Sequence, residues 1–131
     1  MKNQSKLGKF SLRIIQLSGL LLLVAVGCSS VREVPFTVSS DPPGSYILLQ
    51  TLHPDKDMYD WIYLGTTPLV LVRPMNFREL KKAETVTLKA MKQGYFEQAR
   101  SWPWKRFVRE FKENGGISWD PHLVPMSGED K

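Results

Sequence analysis

From position 34 the chain alternates: Val34, Phe36 and Val38 are apolar, with Pro35, Thr37 and Ser39 between them. A period of two over five residues predicts a half-buried strand. Ser40-Asp41-Pro42-Pro43-Gly44 ends it with residues that fix φ or let it turn positive. Tyr46-Ile47-Leu48-Leu49-Gln50 follows as a run apolar on both faces, and residues 51–60 are polar and read as a loop. Trp61-Ile62-Tyr63-Leu64 returns to strand character, Gly65-Thr66-Thr67-Pro68 turns, and Leu69-Val70-Leu71-Val72 is a second two-faced run with Pro74 as its expected stop. Phe77 and Leu80, three apart among charged residues 76–83, suggest a helical turn. Thr85-Val86-Thr87-Leu88-Lys89-Ala90 then puts Val86, Leu88 and Ala90 on the inner face, and Gly94 closes that strand before Tyr95.

The period changes near the end. Trp104, Phe107, Val108 and Phe111 recur at helix spacing, Pro103 suits a first helical position, and Arg106 and Glu110 form an i,i+4 pair. Gly115-Gly116 supplies the stop, so an amphipathic helix is predicted over residues 103–114. Residues 117–124 form a last strand that Pro121 demotes to an edge, and residues 126–131 are expected to fray. The pattern thus predicts an all-β domain, a small antiparallel β-sandwich of about six to seven short strands with one late amphipathic helix. A sandwich strand buries only one face. The two-faced runs at residues 46–49 and 69–72 therefore need a second cover: the expected one is the helix bearing Trp104, Phe107 and Phe111, and the alternative is that part of the face docks a partner protein.

The N-terminus has another logic. Lys2, Lys6, Lys9 and Arg13 lead into an apolar stretch over residues 14–26, broken by Gln16, Ser18 and Gly19. A cationic region, a short apolar region and a small residue before a break describe a secretory signal. A membrane span takes about 20 apolar residues, more than are present here. Gly27-Cys28 at the exit resembles the lipobox of bacterial lipoproteins, with Ala25 standing where leucine is usual three places before the cysteine. That resemblance implies lipidation of Cys28, cleavage after residue 27, and a mature chain that begins at Cys28 on a tether of residues 28–33. Ser29, rather than Asp, next to the cysteine implies sorting to the outer membrane of a diderm bacterium, with the domain facing the periplasm. Palmitate or a similar acyl chain is the membrane partner so implied.

Removing 27 of 131 residues leaves 104, enough for one core without staples. Four of the 18 cations and none of the 13 acids precede Cys28, so the formal charge falls from +5 to +1. No charge excess remains to drive binding to nucleic acid, which is not an expected partner. Cys28 is the single cysteine, so the domain has neither a disulfide nor a cysteine-ligated metal to rely on.

Catalytic groups are sparse. His53 and His122 are the two histidines, and neither stands at local spacing with a serine and a carboxylate. Asp55, Asp57 and Asp60 with His53 lack the Gly-permitted turn and distal Glu of a calcium loop. Gly115-Gly116 is not followed by the Lys-Ser/Thr of a phosphate loop. The reading is a non-enzyme with no cofactor and no metal. Its remaining chemistry is surface: Met58, Tyr59 and Trp61 at the end of the 51–60 loop are the candidate partner-binding residues, because loops on a rigid sheet are frequent recognition sites. Trp61, Tyr63, Tyr95, Trp102 and Trp119 form an alternative, an aromatic platform for a glycan such as peptidoglycan or a surface polysaccharide. A third class, an inhibitor that plugs an enzyme with the 51–60 loop, stays open.

Three turn segments, taken in order, resemble the PEGA domain, a small bacterial β-sandwich found behind lipoprotein signals. They are Ser40-Asp41-Pro42-Pro43-Gly44-Ser45, then Tyr63-Leu64-Gly65-Thr66-Thr67-Pro68, then Lys92-Gln93-Gly94-Tyr95, with Leu123-Val124-Pro125 resembling the last strand. The resemblance covers residues 34–125 and implies an envelope-associated, non-enzymatic domain that docks a protein as an accessory or structural component. Ser45 stands where Ala is usual, the 51–60 loop is longer than the family's turn, and residues 73–83 and the helix near Trp104 are additions to the pattern. Replacing Cys28 by Ala is expected to abolish acyl labelling and signal cleavage in cells, read as loss of label and a larger chain on a gel. A wild-type chain that stays unlabelled and full length would overturn the assignment.

Overall fold

Val34, Phe36 and Val38 do lie on one face of a strand, and that strand is the middle of a three-stranded sheet. The computed structural model describes residues 30–55 and 60–127. In chain order its elements are β1 (Val31–Val38), β2 (Tyr46–Leu52), β3 (Ile62–Thr66), β4 (Leu69–Asn76), α1 (Phe77–Leu80), β5 (Thr85–Met91), β6 (Gln98–Pro103), α2 (Trp104–Asn114) and β7 (Ile117–Trp119). They form two sheets, of order β4-β1-β7 and β3-β2-β5-β6, the small all-β sandwich with a late helix that the pattern predicts.

Facing positions make one core. Val34, Phe36, Val38 and Ile117 come from the first sheet, and Ile47, Leu49, Val86, Leu88, Ala90 and Trp102 from the second; all are buried. The register explains their alignment, since Ile47 lies opposite Ala90, Leu49 opposite Leu88, and Val86 opposite Trp102. Residues directly opposite in an antiparallel pair share a face.

The structure changes several expectations. All strand pairs are antiparallel except β1 with β7, which run parallel over Phe36–Val38 and Ile117–Trp119. An intervening helix permits that direction, and β7 ends at Trp119 rather than running on to Val124. β1 begins at Val31, so Ser29 and Ser30 are the only residues between Cys28 and the first strand. Pro74 does not stop β4, which continues to Asn76; β4 is an edge strand, where a missing N–H is tolerated. Pro103 closes β6 and serves as the N-cap of α2, so the helix starts at Trp104. The predicted helical turn is α1, capped by Asn76, whose side-chain oxygen accepts from the Arg78 N–H at 3.0 Å.

Helix α2 does not cover the outer faces of β2 and β4. Its apolar stripe enters between the sheets instead. Phe107 is fully buried, with its ring 6.3 Å from Phe36 on β1 and 5.9 Å from Trp102 on β6. The reason is the strand that the pattern did not reveal. β6 borders β5, and its inner position Arg100 carries a charge that cannot face a bare core. Glu110 of α2 meets it at 3.2 Å instead of pairing with Arg106, and accepts the Trp102 indole N–H at 2.7 Å. Gly116, just past α2, comes so close to β1 that an added Cβ would lie 2.8 Å from the Pro35 carbonyl oxygen. A glycine is required there for β7 to reach β1.

Phe107→Ala removes a fully buried ring that touches both sheets. It is expected to destabilise the domain by about 3–5 kcal/mol, read from the urea midpoint at unchanged m-value. A loss below about 1 kcal/mol would show that the helix is not part of the core.

Candidate functional site

The outer face of the four-stranded sheet is where exposed apolar side chains gather. On β2, Tyr46 and Leu48 point away from the core while Ile47 and Leu49 point into it. Tyr46 lies opposite Met91 and Leu48 opposite Lys89, which places all four on the outer side. β3 joins them through a bulge. Ile47 pairs with Gly65 but Leu48 pairs with Tyr63, so Leu64 is the extra residue. In unbroken register Leu64 would face outward and Tyr63 inward; the bulge reverses this. Gly65 makes the bulge possible: its φ is 145°, and a Cβ there would meet the Leu69 side chain at 2.7 Å.

Tyr63 consequently stands beside Tyr46, ring centroids 6.0 Å apart and tilted by 54°. They are 56% and 53% exposed. Trp61 flanks them, with Lys89 Nζ 4.3 Å from its ring centroid, and Lys89 also meets Glu97 at 3.3 Å. Beyond Tyr46 the face continues into a side cleft of about 320 Å³, lined by Met91, Lys92, Tyr95 and Met126.

Of the residues proposed from sequence, Trp61 is on this face, whereas Cys28, Met58 and Tyr59 lie outside the described residues. The five aromatics suggested as a glycan platform do not form one surface. Trp61 and Tyr63 share the face and Tyr95 is half-buried in the side cleft, while Trp102 is core and Trp119 packs against the core from β7. The sequence pattern shows Tyr46 only as part of the two-faced run 46–49, whose outer face is one candidate docking surface, and does not single out Met91. His122 is 3.6 Å from Asp41, both exposed, and His53 follows β2 at the other end of the sandwich. Among the described residues no three of His, Cys, Asp and Glu are grouped to hold a metal ion, and no helix is long and apolar enough to cross a membrane.

The three turn segments come together at the end of the sandwich next to Tyr46. Ser45 and Thr67 are buried there. Ser45 N–H donates to Thr67 Oγ1 at 2.9 Å, Thr67 N–H donates to the Ser45 carbonyl at 2.9 Å, and Ser40 Oγ contacts both hydroxyls. Lys92 Nζ donates to the Pro43 carbonyl at 3.0 Å, which ties in the third segment. Ser45, the departure from the Ala of the resembled pattern, uses its hydroxyl in this cluster. No family model matches the chain, and neither the curated proteins nor the solved structures yield a similar one.

Thr67→Val keeps the side-chain volume and removes the acceptor of the buried Ser45 N–H. The expected cost is about 1–3 kcal/mol in chemical unfolding. A cost indistinguishable from zero would mean that the hydroxyl cluster does not hold the turns together.

Proposed function

We propose that this chain is a non-catalytic envelope lipoprotein whose sandwich docks a protein partner through the outer face of its four-stranded sheet. The signal pattern ending at Cys28 and the resemblance to PEGA domains support the location and the class: lipid-anchored, on the periplasmic side of the outer membrane. The observation that carries the docking surface is the bulge in β3. It turns Tyr63 out beside Tyr46 and Trp61, although a shorter edge strand without it would bury that ring. Contiguous exposed apolar surface marks interaction sites, and aromatic side chains are the usual anchors of binding energy.

A protein fits this face better than a sugar does. Tyr46 and Tyr63 are tilted by 54°, so no flat ring can lie parallel to both. Lys89 already occupies one face of Trp61. Tilted rings with Leu48 and Met91 beside them offer instead the uneven apolar relief into which partner side chains pack. Trp61 remains a contact residue in this reading, adjoined in the sequence by the segment that follows β2, a strand that takes in residues 51 and 52 of the expected loop.

Tyr46→Ala with Tyr63→Ala is expected to leave unfolding within about 1 kcal/mol of wild type, because both rings are largely exposed. The same pair should remove the protein adduct found by crosslinking in cells and mass spectrometry. If the adduct persists, the partner docks elsewhere. If instead the wild type sediments with protein-free sacculi and the double variant does not, the face binds glycan.

A further inference from the structure

At the start of β1 a cleft of about 700 Å³ opens between the two helices. Its floor is apolar: Phe77 of α1 against Trp104, Val108 and Phe111 of α2, with the Phe77 and Phe111 rings edge to face at 5.6 Å. Its rim is cationic. Arg32, Lys81 and Lys112 line it with no acid, and among the described residues none of the three makes an ion pair. Lys105, 5.8 Å from the Trp104 ring centroid, adds a fourth positive charge on the same helix.

Ser30 is at the mouth of this cleft and is fastened there. Its carbonyl accepts the Phe77 N–H at 3.0 Å, and its hydroxyl donates to Asn76 Oδ1 at 2.9 Å. Cys28 is two residues upstream, a distance of at most about 7 Å of extended chain. An attachment to a bilayer at Cys28 therefore keeps the mouth of the cleft close to that bilayer. We propose that this cleft is the membrane-contact surface of the domain: Arg32, Lys81 and Lys112 bind the phosphates of anionic phospholipid, and Trp104, Phe77 and Phe111 enter the headgroup layer.

The match is one of chemistry and of position. Aromatic rings settle at the level of lipid headgroups, and each basic side chain close to an anionic surface adds attraction that salt weakens. A basic patch beside a lipid anchor adds an electrostatic attachment to the hydrophobic one. The inference rests on the reading of Cys28 as the membrane end of the chain, not on the aromatic face or its partner.

The test uses the chain purified from cell membranes and reconstituted in vesicles of phosphatidylcholine alone or mixed with phosphatidylglycerol, with lipids brominated near the headgroup. Subtracting the signal of Trp104→Phe isolates quenching of Trp104. The expected result is quenching at least about twofold greater with phosphatidylglycerol, falling to the phosphatidylcholine level in high salt and in the triple variant Arg32→Gln, Lys81→Gln, Lys112→Gln. Equal quenching in both vesicles, or an unchanged triple variant, would overturn the proposal. So would an equal Trp104 response to inorganic phosphate in detergent, which would make the cleft a plain anion site. The mass of the Cys28 peptide separates this outcome from the lipoprotein reading. Charge-dependent quenching without an acyl group sinks only the lipoprotein, and an acylated chain without such quenching sinks only the membrane-contact cleft.

Discussion

The Phe107 ring holds the architecture together. It touches Phe36 of one sheet and Trp102 of the other, and is itself fully buried. Placing that ring in the core brings the rest of α2 with it. Glu110 then falls beside Arg100 and the Trp102 indole, satisfying a half-buried cation and a buried donor together. Phe111 reaches Phe77 of α1, which closes the floor of the cleft near Ser30. The helix ends where the Gly115 N–H donates to the Phe111 carbonyl at 2.9 Å, and Gly116 lets the chain fall against Pro35. β7 can pair in parallel with β1 because the helix has already carried the chain back across the sandwich.

The strands of the core were legible wherever alternation was uninterrupted. Val34, Phe36 and Val38, or Val86, Leu88 and Ala90, need no tertiary information to be read correctly. The helix was legible from its stripe, but its destination was not. Two-faced runs at residues 46–49 and 69–72 pointed to a cover on their outer sides, yet Val70 is 79% exposed and Val72 also faces solvent. Their outer residues are simply uncovered, whereas the real demand for the helix came from the gap beside β6. That strand was hidden because Gln98, Arg100 and Trp102 share its inner face, and two polar residues in three break the hydrophobic alternation. Arg100 is acceptable there only because Glu110, ten residues on, comes back to meet it.

The candidate face was legible in part for a similar reason. Trp61 was visible as an aromatic at a loop end, and Tyr63 as one of several aromatics in strands. What period-two reading cannot show is a bulge, because one inserted residue exchanges the two faces of everything beyond it. Gly65 was read as turn chemistry, and its role is to permit that exchange. The turn segments were recognisable one by one, but the hydroxyl cluster of Ser40, Ser45 and Thr67 joins residues up to 27 positions apart, and local pattern carries no trace of it.

The two surfaces proposed for the domain use different parts of this frame. The cleft is built by the helices at the end where β1 begins, and the aromatic face runs along β2 and β3 toward the turn cluster. A domain held at its first end against a bilayer keeps the sheet face open at its side. That division requires α2 to be a fixed wall of the core and not a detachable flap. Native-state hydrogen exchange measures this directly. The amides of Phe107 to Phe111 are predicted to exchange only with those of β1 and β5, at the free energy of global unfolding. Exchange of the helix by a separate, lower-energy opening while β1 and β5 stay protected would contradict the account.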